Sequence, residues 1–480
     1  MTSTLSTTLT SVLSEKVLVP GTEDYDTANN SYFTAFENEI KPSYIAKPTS
    51  VEEVSKLVAA LHPHLASGEA QLAVRGTGHT PFGGSANIKD GITVDLRALK
   101  GVQLSEDKAT VDIGCGETWT SVYSELEKHG LTTAGGRVGR VGVTGLLLIH
   151  EGGLSLYSTR RGFACDSVTE FSVVLASGIV VKASAKENSD LWIALKGGLN
   201  NFGIVTSFKM KTFETGPVWG GVTYYLQGTC TQLIEAVCDF ALNEKDEDTH
   251  IMCGAGYGFG HQVTTCVMYQ TKGVEDAPSL KRFTTIQPQI EQMKTMRTGT
   301  HLGFCDELSA FSTDGTRQLY LTCTIKPDVS LMEAFHDKWQ ETLATLKDSE
   351  GFIFSFNFQP LTEALLQNSA NAGGNSMNIS PDDGPLLVVL LNPVWNLAAD
   401  DERIISGVSS LLATFKNLAS EKGMLHRYIF INYAYEKEDV FKGFGDESQR
   451  RLKAASEKWD PEGIFQKAVP GGFKVSSTWD

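Results

Sequence analysis

The sequence lacks most features that mark membrane proteins, nucleic-acid-binding proteins and metalloproteins. Its eight cysteines form no CxxC pair or other metal-ligand spacing, so we expect reduced, buried thiols and no metal. No apolar run approaches the ~20 residues of a membrane span, and the first residues do not resemble a signal peptide. The 41 basic residues are outnumbered by 57 acidic ones, which disfavours a nucleic-acid or anionic-membrane partner. We therefore expect a cytoplasmic protein that binds neither nucleic acid nor membrane.

The length predicts more than one domain. A chain of 480 residues exceeds the ~100–200 residues of an ordinary single core, which suggests two large units. Apolar residues at helical spacing follow Ser50, a good helix N-cap, and predict a helix from Val51. Strand and helix patterns then alternate through the first third, and the Gly216-Pro217 step marks a change in character. We predict an α+β fold with a boundary near residue 213.

The segment Arg75-Gly76-Thr77-Gly78-His79-Thr80 is the most informative motif. It directly follows an apolar strand-like run, and two closely spaced glycines allow backbone amides to converge on an anion. Arg75 would add a positive charge. His79 is unusual in a phosphate-binding loop, and its ring nitrogen beside a cofactor suggests a covalent attachment. The alternative is a glycine turn that carries a surface histidine.

A second glycine-dense stretch covers residues 135–162. Its apolar residues, Val138, Val141 and Val143 among them, disfavour a flexible linker. Such glycine density in an ordered domain predicts backbone that passes close to something flat or anionic. The glycines are Gly135, Gly136, Gly139, Gly142, Gly145, Gly152, Gly153 and Gly162.

Four segments resemble the vanillyl-alcohol oxidase and p-cresol methylhydroxylase superfamily of flavoproteins, and specifically its berberine bridge enzyme-like branch. The first is the Arg75–Thr80 loop, and the second is the glycine-dense stretch up to Asp166. The third is the run Leu191-Trp192-Ile193-Ala194-Leu195-Lys196-Gly197-Gly198-Leu199-Asn200-Asn201-Phe202-Gly203-Ile204-Val205-Thr206, and the fourth comprises Ile431-Asn432-Tyr433 and the residues from Trp459 to Lys474. The resemblance extends nearly end to end.

The resemblance implies a two-domain FAD-binding fold. Residues 1–213 and 415–480 would bind FAD, and residues 214–414 would form an antiparallel sheet over the isoalloxazine ring. His79 would carry FAD through an 8α bond, and it would do so alone because Val138 stands where some members have a second, cysteine attachment. The residues implied to bind FAD are Arg75, Gly76, Thr77, Gly78, His79, Thr80, Gly84, Gly135, Gly136, Val141, Gly142, Gly145, Gly152, Gly153, Ser155, Gly162, Asp166, Gly203, Val205 and Asn432.

Two departures from the family pattern bear on catalysis. The loop after the Leu146 run contains His150 and Glu151, which form either an acid/base pair or a solvated elaboration of the loop. Many relatives have a catalytic tyrosine where this chain has Phe430. If the segment is a strand, Tyr428, Phe430 and Asn432 share one face, and the base has moved to Tyr428. The alternative is that Tyr428 is an ordinary half-buried tyrosine.

The sequence also supplies candidate substrate contacts. Asn357 and Gln359 alternate toward one face of another predicted strand and, with Phe430, would contact a substrate unless they are ordinary sheet surface. The resemblance implies an oxidase that moves a hydride from a small secondary metabolite to flavin N5, and Val141 favours molecular oxygen as acceptor. The alternatives are a cyclase in which FAD is structural, a dehydrogenase with another acceptor, and a flavin-binding or storage protein.

Overall fold

The computed structural model describes residues 2–149 and 153–478. Its first 214 residues contribute the strands β1 (Val17–Leu18), β2 (Tyr44–Ala46), β3 (Leu72–Arg75), β4 (Ile92–Asp95), β5 (Val102–Leu104), β6 (Thr110–Gly114), β7 (Leu131–Thr132), β8 (Val168–Val174), β9 (Val180–Ser184), β10 (Ile204–Lys211) and β11 (Phe213–Glu214). The helices of this part are α1 (Thr2–Leu13), α2 (Glu23–Asn29), α3 (Ala35–Glu39), α4 (Val51–Ala66), α5 (Trp119–Glu127), α6 (Ser158–Arg161) and α7 (Ser189–Leu195).

These elements form three sheets. The first has the order β1-β2-β4-β3, in which β2 and β3 lie parallel to β4. The second is antiparallel with the order β5-β6-β10-β8-β9, and β7 pairs with β11. Helix α4 begins where the sequence predicts, because the Ser50 hydroxyl accepts a hydrogen bond from the Glu53 amide and its Val54, Leu57, Val58 and Leu61 face is buried.

The rest of the chain contributes one large antiparallel sheet. Its strands are β12 (Val218–Leu226), β13 (Thr249–Gly258), β14 (His261–Gln270), β15 (Arg297–Gly299), β16 (Arg317–Gln318), β17 (Leu321–Ile325), β18 (Ile353–Leu361), β19 (Leu386–Trp395) and β20 (Leu425–His426). The helices are α8 (Cys230–Asn243), α9 (Lys281–Thr284), α10 (His301–Ser309), α11 (Val329–Leu346), α12 (Glu363–Asn371), α13 (Asp401–Glu421), α14 (Val440–Gly443), α15 (Gly445–Trp459) and α16 (Ile464–Lys467).

The large sheet has one face under helices and one face toward the first part of the chain. Its order is β15-β12-β14-β13-β18-β19-β17-β20, with β16 paired to β19. Helices α8, α11 and α13 cover one face, where Phe356 of β18 packs against Phe415 of α13. Because side chains alternate along a strand, Asn357 and Gln359 of β18 point to the opposite face. That face meets the glycine-rich loops.

The second predicted domain boundary, at residue 415, falls within a helix. Residue 415 is inside α13, which packs on β17 and α11, so α13 belongs to the large sheet. Helix α12 continues to Asn371. Among the described residues, no helix is long and apolar enough to cross a membrane.

Candidate functional site

A cavity opens where β3 ends in the first glycine loop. Residues 76–80, 141–145 and 199–205 form three of its walls. Ten of the predicted FAD-binding residues line it: Gly76, Thr77, Gly78, His79, Thr80, Val141, Gly142, Gly145, Gly203 and Val205.

The two glycine loops touch each other without room for a side chain. A Cβ on Gly142 would lie 2.3 Å from the Thr77 hydroxyl oxygen, well inside van der Waals contact. Gly78 has a φ of +81°, and a Cβ there would lie 2.6 Å from the Tyr32 ring. The glycines therefore bring two backbone segments together at the cavity wall, as a cradle for a ligand requires.

Polar atoms without partners mark the same place. The His79 Nε2 and Ser85 Oγ atoms, on residues that line the cavity, and Asn432 Oδ1 are buried and have no hydrogen-bond partner among the described residues. Buried polar atoms in native proteins are nearly always paired, so these three are available to the polar groups of a ligand. Together with the backbone cradle, they fit an FAD molecule.

His79 is held as a neutral imidazole. Its ring stacks on Phe33 with centroids 3.7 Å apart and an interplanar angle of 16°. Burial, with a smaller contribution from the positive charge of Arg140, lowers the pKa of His79 to about 4. At neutral pH the ring therefore keeps a nitrogen lone pair, which a bond to a cofactor would need.

A polar cluster of Arg137, His250, Gln359 and Tyr433 lies between the second glycine loop and the large sheet. Arg137 Nη1 donates to Gln359 Oε1 at 2.6 Å and to His250 Nε2 at 3.2 Å. Arg137 Nη2 donates to the Tyr433 hydroxyl at 2.9 Å, and Gln359 Nε2 donates to the same oxygen at 2.7 Å. We call these four residues the polar cluster.

The polar cluster adjoins the cavity. Tyr433 belongs to the 3₁₀ turn Ile431–Tyr433, which packs against the π-helical turn Gly145–Ile149. Gly145 and Leu148 of that turn line the cavity. Arg137 is four residues before Val141, another lining residue.

Known proteins similar to this chain are flavoproteins. The model of the FAD binding domain family matches residues 42–184. The FAD-dependent monooxygenase tpcD of Cochliobolus heterostrophus (strain C5 / ATCC 48332 / race O) is 34% identical over 451 residues, which cover 92% of this chain and 86% of that protein. The FAD-dependent monooxygenase FUP4 of Fusarium proliferatum (strain ET1) is 32% identical over 462 residues, which cover 93% of this chain and 88% of that protein.

Solved structures share the whole fold. Xylooligosaccharide oxidase from Myceliophthora thermophila C1 superposes with a TM-score of 0.77 at 19% identity, over 98% of this chain and 99% of that chain. A variant of berberine bridge enzyme in complex with (S)-reticuline superposes with a TM-score of 0.76 at 16% identity, over 97% of this chain and 98% of that chain. The chain belongs to the family of FAD-dependent enzymes that includes these monooxygenases, and its fold is that of berberine bridge enzyme.

This protein is therefore an FAD-dependent oxidoreductase that acts on a small molecule. The family resemblance of the sequence and the predicted α+β FAD-binding fold are both confirmed. The cradle at Gly142 and the unpaired His79, Ser85 and Asn432 atoms are the residues that would hold the cofactor.

The structure does not place Arg75 at the cavity. Its guanidinium donates to the backbone oxygens of Ala28 and Ser31 and stacks over the Tyr32 ring at 3.5 Å. The residue is 1% exposed, although we expected its positive charge to face an anion bound by the glycine loop. Arg75 therefore anchors the loop from the protein side and supplies no charge to the cavity.

Other predicted FAD-binding residues have structural contacts outside the cavity lining. Gly135 and Gly136 lie against the Trp119 ring, where a Cβ would come within 2.1 Å and 2.5 Å of it. The Gly84 amide donates to the buried Glu37 carboxylate at 3.0 Å. The glycine requirement at 135 and 136 therefore comes from packing against tryptophan.

The turn after residue 153 is also held by protein contacts. The Gly153 carbonyl accepts a hydrogen bond from the Ala164 amide, and the Ser155 hydroxyl accepts one from the Tyr157 amide. Asp166 accepts from the Phe163 amide and the Asn375 side chain, and Gly162 leaves the space that its carboxylate occupies. None of the four predicted residues, Gly153, Ser155, Gly162 and Asp166, is among those that line the cavity.

The catalytic prediction for Tyr428 depended on a strand that the structure does not contain. Only Leu425–His426 is a strand, and residues 431–433 form a 3₁₀ turn, so period-two alternation does not apply. The Tyr428 hydroxyl contacts the Met377 sulfur at 3.5 Å instead of the polar cluster. Phe430 is fully buried and packs edge-on against Tyr433, with ring centroids 4.9 Å apart.

The remaining predicted residues divide into three cases. Gln359 belongs to the polar cluster, whereas Asn357 Nδ2 donates to Ser355 Oγ at 3.0 Å on the same strand face. His150, Glu151 and Gly152 lie outside the described residues. Arg137 and Tyr433 were missed as site residues. The signal for Arg137 was a charged side chain inside a glycine-dense, apolar run.

Proposed function

We propose that this protein is an oxidase of small secondary metabolites that carries FAD covalently through His79 and uses molecular oxygen as acceptor. When bound, FAD supplies a hydride acceptor at N5 and passes the electrons to oxygen. The observation that carries the proposal is the polar cluster beside the cavity, because it provides a hydroxyl group for proton transfer where a substrate would lie.

Tyr433 is the group to which we assign proton transfer. Its hydroxyl oxygen accepts hydrogen bonds from Arg137 and from Gln359, and both donors stabilise negative charge on that oxygen. With both acceptor positions used, the hydroxyl proton points away from these two partners and is available for exchange with a substrate. Tyr433 therefore takes the role that relatives give to the tyrosine at the position of Phe430.

Oxygen as acceptor has two supports. Val141, the small β-branched residue that accompanies oxygen access in the resembled family, lines the cavity. The similar fungal proteins are named monooxygenases, a name that implies consumption of oxygen by those proteins. Release of hydrogen peroxide distinguishes an oxidase from a monooxygenase, which would transfer one oxygen atom to the product.

The attachment to His79 is tested by acid precipitation of the purified protein. We expect a yellow pellet and a mass gain equal to FAD in the wild type, and loss of both in His79→Ala. His261→Ala serves as the control, since it removes an exposed histidine that does not line the cavity. A colourless wild-type pellet from a yellow solution would show that the flavin is held noncovalently.

The redox role is tested with a substrate panel under anaerobic conditions. Bleaching of the oxidised flavin absorbance by a substrate, followed by recovery with hydrogen peroxide release on admission of air, is the expected result. If a substrate is converted to product without bleaching, the flavin is structural and the protein is a cyclase. Bleaching without recovery in air would identify a dehydrogenase with another acceptor.

A further inference from the structure

We propose that Arg137 is the binding site for an acidic group of the substrate, so that this enzyme selects molecules carrying a carboxylate or an ionised phenol or enol next to the reacting carbon. The inference rests on the proposed function for the location of the substrate. It adds the chemical class that the cavity recognises.

Arg137 has donors to spare. A guanidinium carries five N–H groups. The two on Nη1 are directed at Gln359, His250 and the Met252 sulfur, and one on Nη2 is directed at Tyr433. The Nε–H and the second Nη2–H have no acceptor among the described residues. Two adjacent free N–H groups are the arrangement that binds a carboxylate in bidentate fashion.

The positive charge of Arg137 has no counter-ion in the described part of the protein. Its partners are an amide oxygen, a phenol oxygen, a thioether and an imidazole nitrogen, and it forms no salt bridge there. His250 cannot offset or add charge, because burial and the Arg137 charge hold its pKa well below the usual value. A half-buried cation without an anionic partner favours an anionic ligand.

A second unsatisfied group lies on the same side of the sheet. Tyr269 is opposite His250 in the β13–β14 register, and directly opposite residues project from the same face. The Tyr269 hydroxyl is buried and has no hydrogen-bond partner among the described residues. It is therefore a second buried polar group on this sheet face whose hydrogen-bonding capacity is not used by the described residues.

Tyr433 connects this site to the reaction. Arg137 Nη2 contacts the Tyr433 hydroxyl, so an acidic group on the free edge of Arg137 lies within a few ångström of the proton-transfer group. Binding at that edge would fix the substrate carbon relative to Tyr433 and the cavity. Arg137 would thereby act as both a specificity residue and a positioning residue.

The test compares charged and neutral ligands of the same shape. Calorimetric titration of the FAD-loaded protein with benzoate and benzamide, and with 2-naphthoate and 2-naphthamide, measures the preference for a carboxylate. We expect the wild type to bind at least one carboxylate at least tenfold more tightly than its amide. Arg137→Gln should abolish that ratio, and Arg137→Lys should keep part of it.

The ratio of the affinities for a carboxylate and its amide distinguishes recognition of the ligand charge by Arg137 from a purely structural role of Arg137. Loss of Arg137 also frees Gln359 and Tyr433, but that disturbance weakens acid and amide equally and leaves their ratio unchanged. Arg403→Gln removes the same charge from an exposed ion pair with Asp348 and should leave the ratio as in the wild type. The visible flavin spectrum confirms that each variant retains FAD.

Two results would overturn the inference. One is a wild type that binds no carboxylate more tightly than its amide. The other is an Arg137→Gln protein that keeps the preference. If Arg137→Gln does not fold, the wild-type ratio and Arg137→Lys still decide the question. Binding is measured without turnover, so failure here differs from absence of flavin reduction, which would count against the proposed oxidase.

Discussion

Replacement of Gly142 by alanine should weaken FAD binding through a steric clash that the structure defines. The new Cβ would lie 2.3, 2.6 and 2.9 Å from the Oγ1, Cγ2 and Cβ atoms of Thr77. Ordinary carbon contacts begin near ~3.5 Å, so the two loops must separate by about 1 Å. Rotation of Thr77 does not relieve the clash, because its Cβ stays in place and its β-branched side chain has few rotamers.

Hydrogen bonds restrict how the loop can move. The Val143 amide donates to the Glu117 carbonyl at 3.0 Å, and the Leu146 amide donates to the Gly142 carbonyl at 3.2 Å. Displacement of the loop therefore changes the cavity wall. Overpacking of this kind costs about 1–3 kcal/mol. If the FAD-free protein relieves this strain and the FAD complex does not, the affinity for FAD falls by about 5–150-fold.

The assay is FAD titration in a His79→Ala background, where the flavin is exchangeable, followed by tryptophan fluorescence quenching. Thr77→Gly in the same chain as Gly142→Ala removes all three clashing atoms and should restore most of the lost affinity. Gly256→Ala is the control, because no atom lies within 4 Å of a Cβ there. Wild-type affinity in Gly142→Ala, or no rescue by Thr77→Gly, would refute the steric reasoning.

Three further predictions follow from single contacts. Tyr433→Phe should lower the rate of anaerobic flavin reduction by about 10²–10⁴-fold, as loss of an acid/base group does. The control is Tyr320→Phe, whose ring lies 5.8 Å from that of Tyr433 and which should change the rate little. A rate in Tyr433→Phe equal to that of the wild type would show that Tyr433 has no role in catalysis. Gly135→Ala places a Cβ 2.1 Å from the buried Trp119 ring and should destabilise the protein by about 1–3 kcal/mol in urea unfolding, and an unchanged midpoint would contradict this. Burial raises the pKa of Glu37 to about 7 from 4.5, so its contribution to the free energy of unfolding is complete below pH 4.5 and is lost as pH rises through 7. This loss amounts to about 3 kcal/mol, and Glu37→Gln should remove it from the pH dependence of the free energy of unfolding. A pH dependence identical to that of the wild type would count against this role of Glu37.

Local sequence signals predicted the elements that surround the cofactor cavity. The Ser50 cap and the apolar spacing after it place α4 at Val51–Ala66, because capping and periodicity are properties of neighbouring residues. The glycine loop at residues 76–80 lines the cavity as expected. Gly135 and Gly136 belong to the same kind of stretch but face Trp119, since a glycine pattern alone does not say which object it packs against.

Local sequence patterns could not predict the polar cluster, because its members are far apart in the chain. Gln359 and Tyr433 are 74 residues apart, and Arg137 and Gln359 are 222 residues apart. Asn357 and Gln359 share a strand face as predicted, yet only Gln359 meets the arginine. Gln359 contacts Arg137, and Asn357 does not, only because of how the sheet packs against the glycine loop. The residue pattern of one strand cannot predict that packing.

The 3₁₀ turn explains how the chain keeps a phenol at the site despite the phenylalanine at 430. In a strand, Phe430 and Tyr433 would point to opposite faces, because an odd spacing reverses the side chain. In a 3₁₀ turn, residues three apart are eclipsed, and Phe430 immediately precedes the turn that ends at Tyr433. Phe430 and Tyr433 consequently pack edge-on at 4.9 Å, with the buried phenylalanine supporting a tyrosine whose hydroxyl reaches Arg137. A tyrosine placed back at 430 would put a second hydroxyl into that buried position, and it would need a partner that the phenylalanine does not.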